Sequence, residues 1–104
     1  MKFISFGSGS SGNCYYICHQ DDALLIDAGI GVRTLKRVAY EYNIDLSKVR
    51  SLLVTHDHAD HVKSVGSLSA EFNIPVYATA SSHHGIENNH FIKKKIASDK
   101  RFLI

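Results

Sequence analysis

The heptapeptide "THDHADH" at 55–61 sets three histidines and two aspartates in seven positions, directly behind the apolar run "SLLV". Imidazoles and carboxylates are the side chains that ligate divalent metals and move protons near neutral pH. On an extended chain, residues i and i+2 face the same side. His56 and His58 therefore project together, with Cα atoms ~6.6 Å apart. Two imidazoles at that spacing can close on one ion through bonds of ~2.0–2.1 Å. Asp60 and His61 are adjacent and point opposite ways on a straight strand. If the backbone turns there into a helix, both swing inward. One short loop then offers two nitrogens to a first ion, and a carboxylate plus an imidazole to a second. A single histidine at a strand end is ordinarily a satisfied core or surface residue. A cluster interleaved with aspartates is harder to bury, because unpaired imidazoles and carboxylates are costly to desolvate and a metal removes that cost. His56, His58, Asp60 and His61 are expected to bind metal as a set. Asp57 and Ala59 alternate away from them, and Asp57 is expected to orient a ligand or face solvent.

The elements that must position this loop alternate between strand and helix. Strands are expected at 2–6, 14–19, 23–29, 49–55 and 76–80, with a sixth beginning at 101–104. The turn "QDD" at 20–22 makes the second and third an antiparallel hairpin. Strand 49–55 is apolar on both faces in its middle, which suggests cover on both sides. In 32–43, Leu35, Val38, Ala39 and Tyr42 fall on one helical face, and Asn43 is a natural stop. Val62, Val65, Leu68, Ser69 and Phe72 give 61–73 the same period. A third helix is expected over 82–96, capped by Ser81 or Ser82. On it, Lys93 to Lys95 read as a solvated face rather than a phosphate-binding patch, and His83, His84 and His90 as surface residues. The loop "GSGSSGN" at 7–13 has two readings. It could cradle a phosphate or support the histidine loop through its N–H and hydroxyl groups, or it could simply join two strands. Gly7, Gly9 and Gly12 have the G-x-G-x-x-G spacing, but a strand rather than a helix is expected after them, and the loop is not a P-loop.

The bulk numbers narrow the class. The chain has 104 residues, 44% of them hydrophobic and 21% charged, which suits one ordinary globular domain. A formal net charge of +2 makes no case by itself for a nucleic-acid partner. No apolar run approaches the ~20 residues that span a bilayer, and the N-terminus lacks a secretory apolar region. The expected setting is cytoplasmic, with no membrane partner. Cys14 and Cys18, four apart on one strand, lie too far apart to bridge. They are expected to be reduced core thiols rather than redox or metal groups.

H-x-H-x-D-H behind a hydrophobic strand resembles the signature of the metallo-β-lactamase superfamily. "LLIDAG" resembles that family's upstream strand ending in an aspartate, "HVKSVGSL" the helix after the metal loop, and "IPVYAT" the next strand. "GSGSSGN" followed by "CYYI" is similar to the YycJ-like (WalJ-like) group of DNA-processing nucleases. The resemblance covers essentially the whole chain. It implies an α/β fold, the N-terminal half of the metallo-β-lactamase αβ/βα sandwich. Residues 1–104 would then be the N-terminal part of a single domain, apparently truncated. It further implies two divalent ions, zinc or manganese: His56 and His58 on the first, Asp60 and His61 on the second. Asp60 would also orient the nucleophile, and Asp27 would support the loop from behind; as a plain alternative, Asp27 is a turn residue before Gly29. The family's remaining ligands fall further downstream. The implied activity is hydrolysis, with a phosphodiester of nucleic acid as substrate, although a thioester or lactam would use the same ligands. The alternative is a catalytically incompetent half-domain that binds metal weakly or serves a structural or partner-binding role. Its uncovered sheet face would invite homodimers.

Overall fold

The computed structural model of the protein describes residues 1–104. Its six strands form one mixed sheet in the order of the chain, β1 to β6. β1 (Lys2–Gly7), β2 (Cys14–His19) and β3 (Asp22–Ile26) are antiparallel neighbours. β4 (Val49–Leu53), β5 (Val76–Ala78) and β6 (Arg101–Leu103) then add in parallel to β3. Parallel neighbours need crossovers, which α1 (Val32–Glu41), the pair α2 (Ala59–Val62) and α3 (Val65–Phe72), and α4 (Ala80–Glu87) provide. This is the expected α/β fold, and 101–104 does begin a sixth strand.

Alternation along the strands decides which face is core. The paired row Ile4, Tyr16, Leu25, Leu52 and Val76 is buried except for half-buried Ile4. It packs with Leu35, Val62, Val65 and Leu68 of the helices. The opposite row, Tyr15, Ile26, Leu53 and Tyr77, is only half-buried, and Phe102 at its end is exposed. Strand β4 is therefore covered on one face, not on both as its apolar middle suggested. No helix is long and apolar enough to cross a membrane.

Helix α1 buries Leu35 and Ala39, as its period requires. Tyr42 follows it half-exposed and stacks on Phe6 at 6.4 Å between ring centroids. Asn43, at φ +58°, ends the helical path, a conformation asparagine tolerates. The helix expected over 61–73 starts at Ala59 and breaks at Lys63–Ser64 into α2 and α3. Ser64 makes the break: it is buried, its N–H donates to Ala28 O (2.8 Å) and its hydroxyl to Ile30 O (2.5 Å).

The helix expected over 82–96 is also corrected. α4 begins at Ala80, with Thr79 Oγ1 rather than Ser81 or Ser82 accepting the capping N–H, from Ser82 at 3.1 Å. It stops at Glu87 because side chains take over its last carbonyls. Asn88 Nδ2 donates to His84 O at 2.8 Å, and Lys95 Nζ to Ile86 O at 3.2 Å and Asn89 O at 2.6 Å. Lys93 to Lys95 are thus not a helix face. His84 and His90 are exposed, but His83 is buried. His83 Nε2 donates to Phe102 O at 2.9 Å, docking α4 on β6, and leaves its Nδ1 without a partner.

Candidate metal centre

The histidine loop leaves the sheet at the C-terminal end of β4, where the core row stops. Val54 still reaches β5, donating to Tyr77 O at 2.9 Å, and Thr55 begins the turn. His58 is the N-cap of α2, so the backbone turns into a helix where the sequence requires, and Asp60 and His61 sit in that helix's first turn.

Behind the loop lies Asp27. Strand β3 was expected to run to residue 29, but it ends at Ile26 because Asp27 adopts φ +63°. Its N–H stays bonded to Leu53 O (2.7 Å) while its carboxylate swings under the loop. The side chain is 2% exposed. Oδ1 accepts Thr55 N–H at 2.8 Å, and Oδ2 accepts the Thr55 hydroxyl at 2.5 Å and His61 Nδ1 at 2.7 Å. Thr55 Oγ1 also lies 3.0 Å from His56 Nδ1.

These contacts fix two imidazole tautomers. An ionised carboxylate only accepts. The Thr55 proton therefore goes to Asp27, and its oxygen accepts from His56 Nδ1–H. His61 Nδ1–H likewise donates to Asp27. Both rings keep a lone pair on Nε2, the form in which neutral imidazole ligates a metal, with the other nitrogen anchored by an acceptor. One buried carboxylate thus prepares His61 directly and His56 through Thr55.

The ring centroids of His56 and His61 are 4.7 Å apart, and those of His56 and His58 6.2 Å. Asp60 Oδ2 lies 3.9 Å from His61 Nε2, too far for a hydrogen bond. His56 and His58 are exposed, and Asp60 and His61 are half-buried. The four expected residues therefore share one loop, but no three acidic, imidazole or thiol groups close into a preformed cluster. The donor set fits divalent metal, with imidazole nitrogens and a carboxylate freed from protein partners. Asp57 is half-buried beside Gly85 of α4, whose lack of a Cβ leaves room for the Asp57 carboxylate.

Backbone contacts hold the loop from the other side. Asn13, the last residue of "GSGSSGN", donates its N–H (2.7 Å) and its Nδ2 (3.1 Å) to Asp60 O. Ala28 N donates to His61 O at 2.8 Å and Gly29 N to Asn13 O at 2.8 Å. Gly29 lies so close that a Cβ there would be 1.8 Å from Asp60 O. Of the two readings of the 7–13 loop, support of the histidine loop is what Asn13 performs. Sequence reasoning assigned no role to Asn13, Thr55 or Gly29. The available signal was an Asn closing a Gly-Ser loop, and a Gly two residues after the aspartate.

Cys14 is buried and Cys18 only half-buried, and both are free thiols. Burial, and then the negative charge of Asp27, push the Cys14 thiol up to about 12. It therefore stays protonated at neutral pH, which makes it a poor nucleophile.

Residues 7–100 match the profile of the Metallo-beta-lactamase superfamily. The chain belongs to that superfamily. It is 32% identical over 103 residues to "Exodeoxyribonuclease YycJ" of Bacillus anthracis, covering 99% of this chain and 38% of that protein. It is 31% identical over 103 residues to "Exodeoxyribonuclease WalJ" of Streptococcus pneumoniae, with the same coverage. Over 85 residues it is 35% identical to "Ribonuclease J 1" of Streptococcus pyogenes, covering 73% of this chain and 15% of that one. A B3 metallo-beta-lactamase with an active-site glutamic acid superposes with a TM-score of 0.81 at 13% identity, over 98% of this chain and 42% of that one. That likeness bears on the fold alone. The chain spans about two fifths of the length of the curated relatives it matches.

Proposed function

We propose that this superfamily chain is the N-terminal, metal-bearing part of a single hydrolase domain that cleaves phosphodiester bonds in nucleic acid. His56 and His58 would hold one divalent ion and Asp60 and His61 a second, with zinc or manganese the ions suited to these donors. Bound there, such ions supply a water acidified toward neutral pH and polarise the scissile group. The observation that carries the reading is the Asp27 relay, which aims the Nε2 lone pairs of His56 and His61 before any ion arrives. Asp60 is the carboxylate that would accept a proton from the attacking water while ligating. The nuclease names of the relatives favour a phosphodiester over a lactam or thioester. Free thiols at Cys14 and Cys18 suit a reducing, cytoplasmic setting.

The 104 residues alone favour weak binding. His56 and His58 give the first ion two protein ligands and Asp60 and His61 give the second two, whereas catalytic zinc typically has three plus water. The absence of any preformed three-donor cluster supports this second reading, a fragment that binds metal loosely and turns over little. The test is calorimetric titration of zinc and manganese into this chain and into a form extended to the relatives' length, with assays on a phosphodiester ester and on linear DNA. The extended form should bind two ions and hydrolyse, and His58→Ala should weaken binding of the first ion and abolish hydrolysis. Hydrolysis untouched by His58→Ala would end the reading.

A further inference from the structure

The segment between α4 and β6 carries exposed groups that the histidine loop does not use. Ile92 and Ile96 bury themselves at 3% and 4% exposure and pin the segment to the core. Gly66 of α3 lets it approach: a Cβ there would lie 1.9 Å from Lys94 O. Beside the first anchor, Phe91 is 90% exposed. Its backbone is not loose, because Phe91 N donates to Asn89 Oδ1 at 2.9 Å. Lys93, Lys94 and Lys100 line a cleft of about 580 Å³ along α3, with Asp99 the one carboxylate in its wall. None of these three ammonium groups is in an ion pair. Lys95, between them in sequence, is spent on the carbonyls of Ile86 and Asn89.

An aromatic ring held out in water, two residues in the chain from the first of these unpaired lysines, is poorly suited to a protein core contact, since the charges would have to be desolvated with it. It suits a strand of nucleic acid with unpaired bases. The ring offers a stacking face to any base, and the lysines meet the phosphates. A duplex hides its base faces and gains only from the charges. We infer that Phe91, Lys93, Lys94 and Lys100 form an accessory binding site for single-stranded nucleic acid. The inference rests on the proposed nucleic-acid hydrolase for its purpose, since the site would hold substrate for the histidine loop. Helix α4 joins the two: Gly85 abuts Asp57 of that loop, and the segment begins where α4 ends.

The test measures binding without metal, so that it stands apart from hydrolysis. Fluorescence anisotropy of a labelled oligothymidylate, in chelator and across a salt series, is compared with that of a duplex of equal length. Phe91→Ala should weaken single-strand binding roughly fivefold or more while leaving the duplex unaffected, and Phe91→Trp should preserve it. Lys93→Gln, Lys94→Gln and Lys100→Gln together should reduce the slope of log K against log salt by about 2. Circular dichroism of each variant should match the parent, because the substituted side chains lie outside the core. No single-strand binding by the parent, an unchanged salt slope in the triple variant, or equal losses for single strand and duplex on Phe91→Ala would overturn the inference. If the extended protein hydrolyses DNA but these substitutions leave binding intact, this inference falls and the hydrolase reading stands. If binding behaves as stated and no metal or turnover is found, the reverse holds.

Discussion

Replacing Asp27 by asparagine tests the tautomer relay with a change of one atom. Asparagine Oδ1 can still accept Thr55 N–H, now 2.8 Å from the carboxylate. The atom in place of Oδ2 becomes an NH₂ donor, facing the Thr55 hydroxyl and His61 Nδ1 at 2.5 and 2.7 Å. Both contacts must then reverse. His61 Nδ1 accepts and its proton moves to Nε2. Thr55 accepts from the amide and donates to His56 Nδ1, 3.0 Å away, so that ring reverses as well. The hydrogen bonds survive as neutral ones, each ~1 kcal/mol weaker than its charge-assisted form. Folding should therefore lose about 2 kcal/mol, less whatever is gained by no longer burying a charge.

Metal affinity should suffer more. Ligation needs the Nε2 lone pair, so each ring must return its proton to Nδ1: His61 then faces an NH₂ donor, and the Thr55 hydroxyl, accepting from both the amide and His56, has no acceptor for its own proton. At half-buried His61 an unmade hydrogen bond costs ~1–3 kcal/mol, roughly 10- to 100-fold in affinity, the range found for such outer partners; exposed His56 should lose less, because water can take the bond. Zinc calorimetry reads the affinity, and ¹⁵N-edited spectra of the metal-free rings read the tautomers. Thr55→Val should reverse or release His56 alone and leave His61 unchanged. Thr55→Ser should restore the parent spectrum. If the Asp27→Asn protein kept Nδ1–H on both rings, or bound zinc as tightly as the parent, the relay would play no part in preparing the loop.

Gly29→Ala should destabilise the chain by ~1–3 kcal/mol or more and weaken metal binding, because its Cβ would meet the backbone of Asp60 and His61 at 1.8 and 2.7 Å; urea unfolding and zinc titration check both. Cys14 has its pKa raised from 9.0 to about 12, by burial and then by Asp27, so the folded state keeps a proton that the unfolded state loses. That stability is fully present below pH 9.0 and drains away as pH rises toward 12, by about 2 kcal/mol at pH ~10.5; urea unfolding of Cys14→Ala should show a drop smaller by that amount between pH 8 and 10.5, and an equal drop would refute the assignment. The half-buried row Tyr15, Ile26, Leu53 and Tyr77, with exposed Phe102 stacked on Tyr77 at 5.2 Å, should drive association of the 104-residue chain, seen as concentration-dependent sedimentation and relieved by Tyr77→Lys.

Much of the fold was legible because period and turn chemistry agreed with it. The hairpin at Gln20–Asp21, the helix over Leu35 and Ala39, and the asparagine stop at Asn43 follow from local rules. Departures came where a distant partner outbid the local pattern. The helical period of 61–73 runs straight through Ser64, yet the carbonyls of Ala28 and Ile30, 34 or more residues away in sequence, hold Ser64 out of the helix. In 82–96 the pattern permitted a helix, but Lys95 folds back on the end of α4 and takes the carbonyls that a continuing helix would have used. Hydrophobic spacing carries no record of such hydrogen bonds.

The candidate site divides along the same line. Its candidate donors, His56, His58, Asp60 and His61, stood out in the sequence because metal ligands must be of few residue types at short spacing, and the structure sets them on one loop. Asp27 was reached through resemblance, and its hydrogen bonds supply the physical reason for it. What no spacing could reveal is that Asp27 reaches His56 by way of Thr55, or that Asn13 grips a carbonyl 47 residues away. Those contacts act on backbone atoms and on proton positions, for which many residue types would serve, so the pattern of letters is weak even where the constraint is strong. Gly29 is the sharpest case. A glycine after a strand is an everyday turn residue, but here two backbones pass at a distance that excludes a methyl group. The loop is thus held on both sides by a frame of Asp27, Asn13 and the backbone at Ala28 and Gly29. A substitution in that frame should reduce metal affinity without removing any ligand, whereas removing a ligand should leave the frame folded.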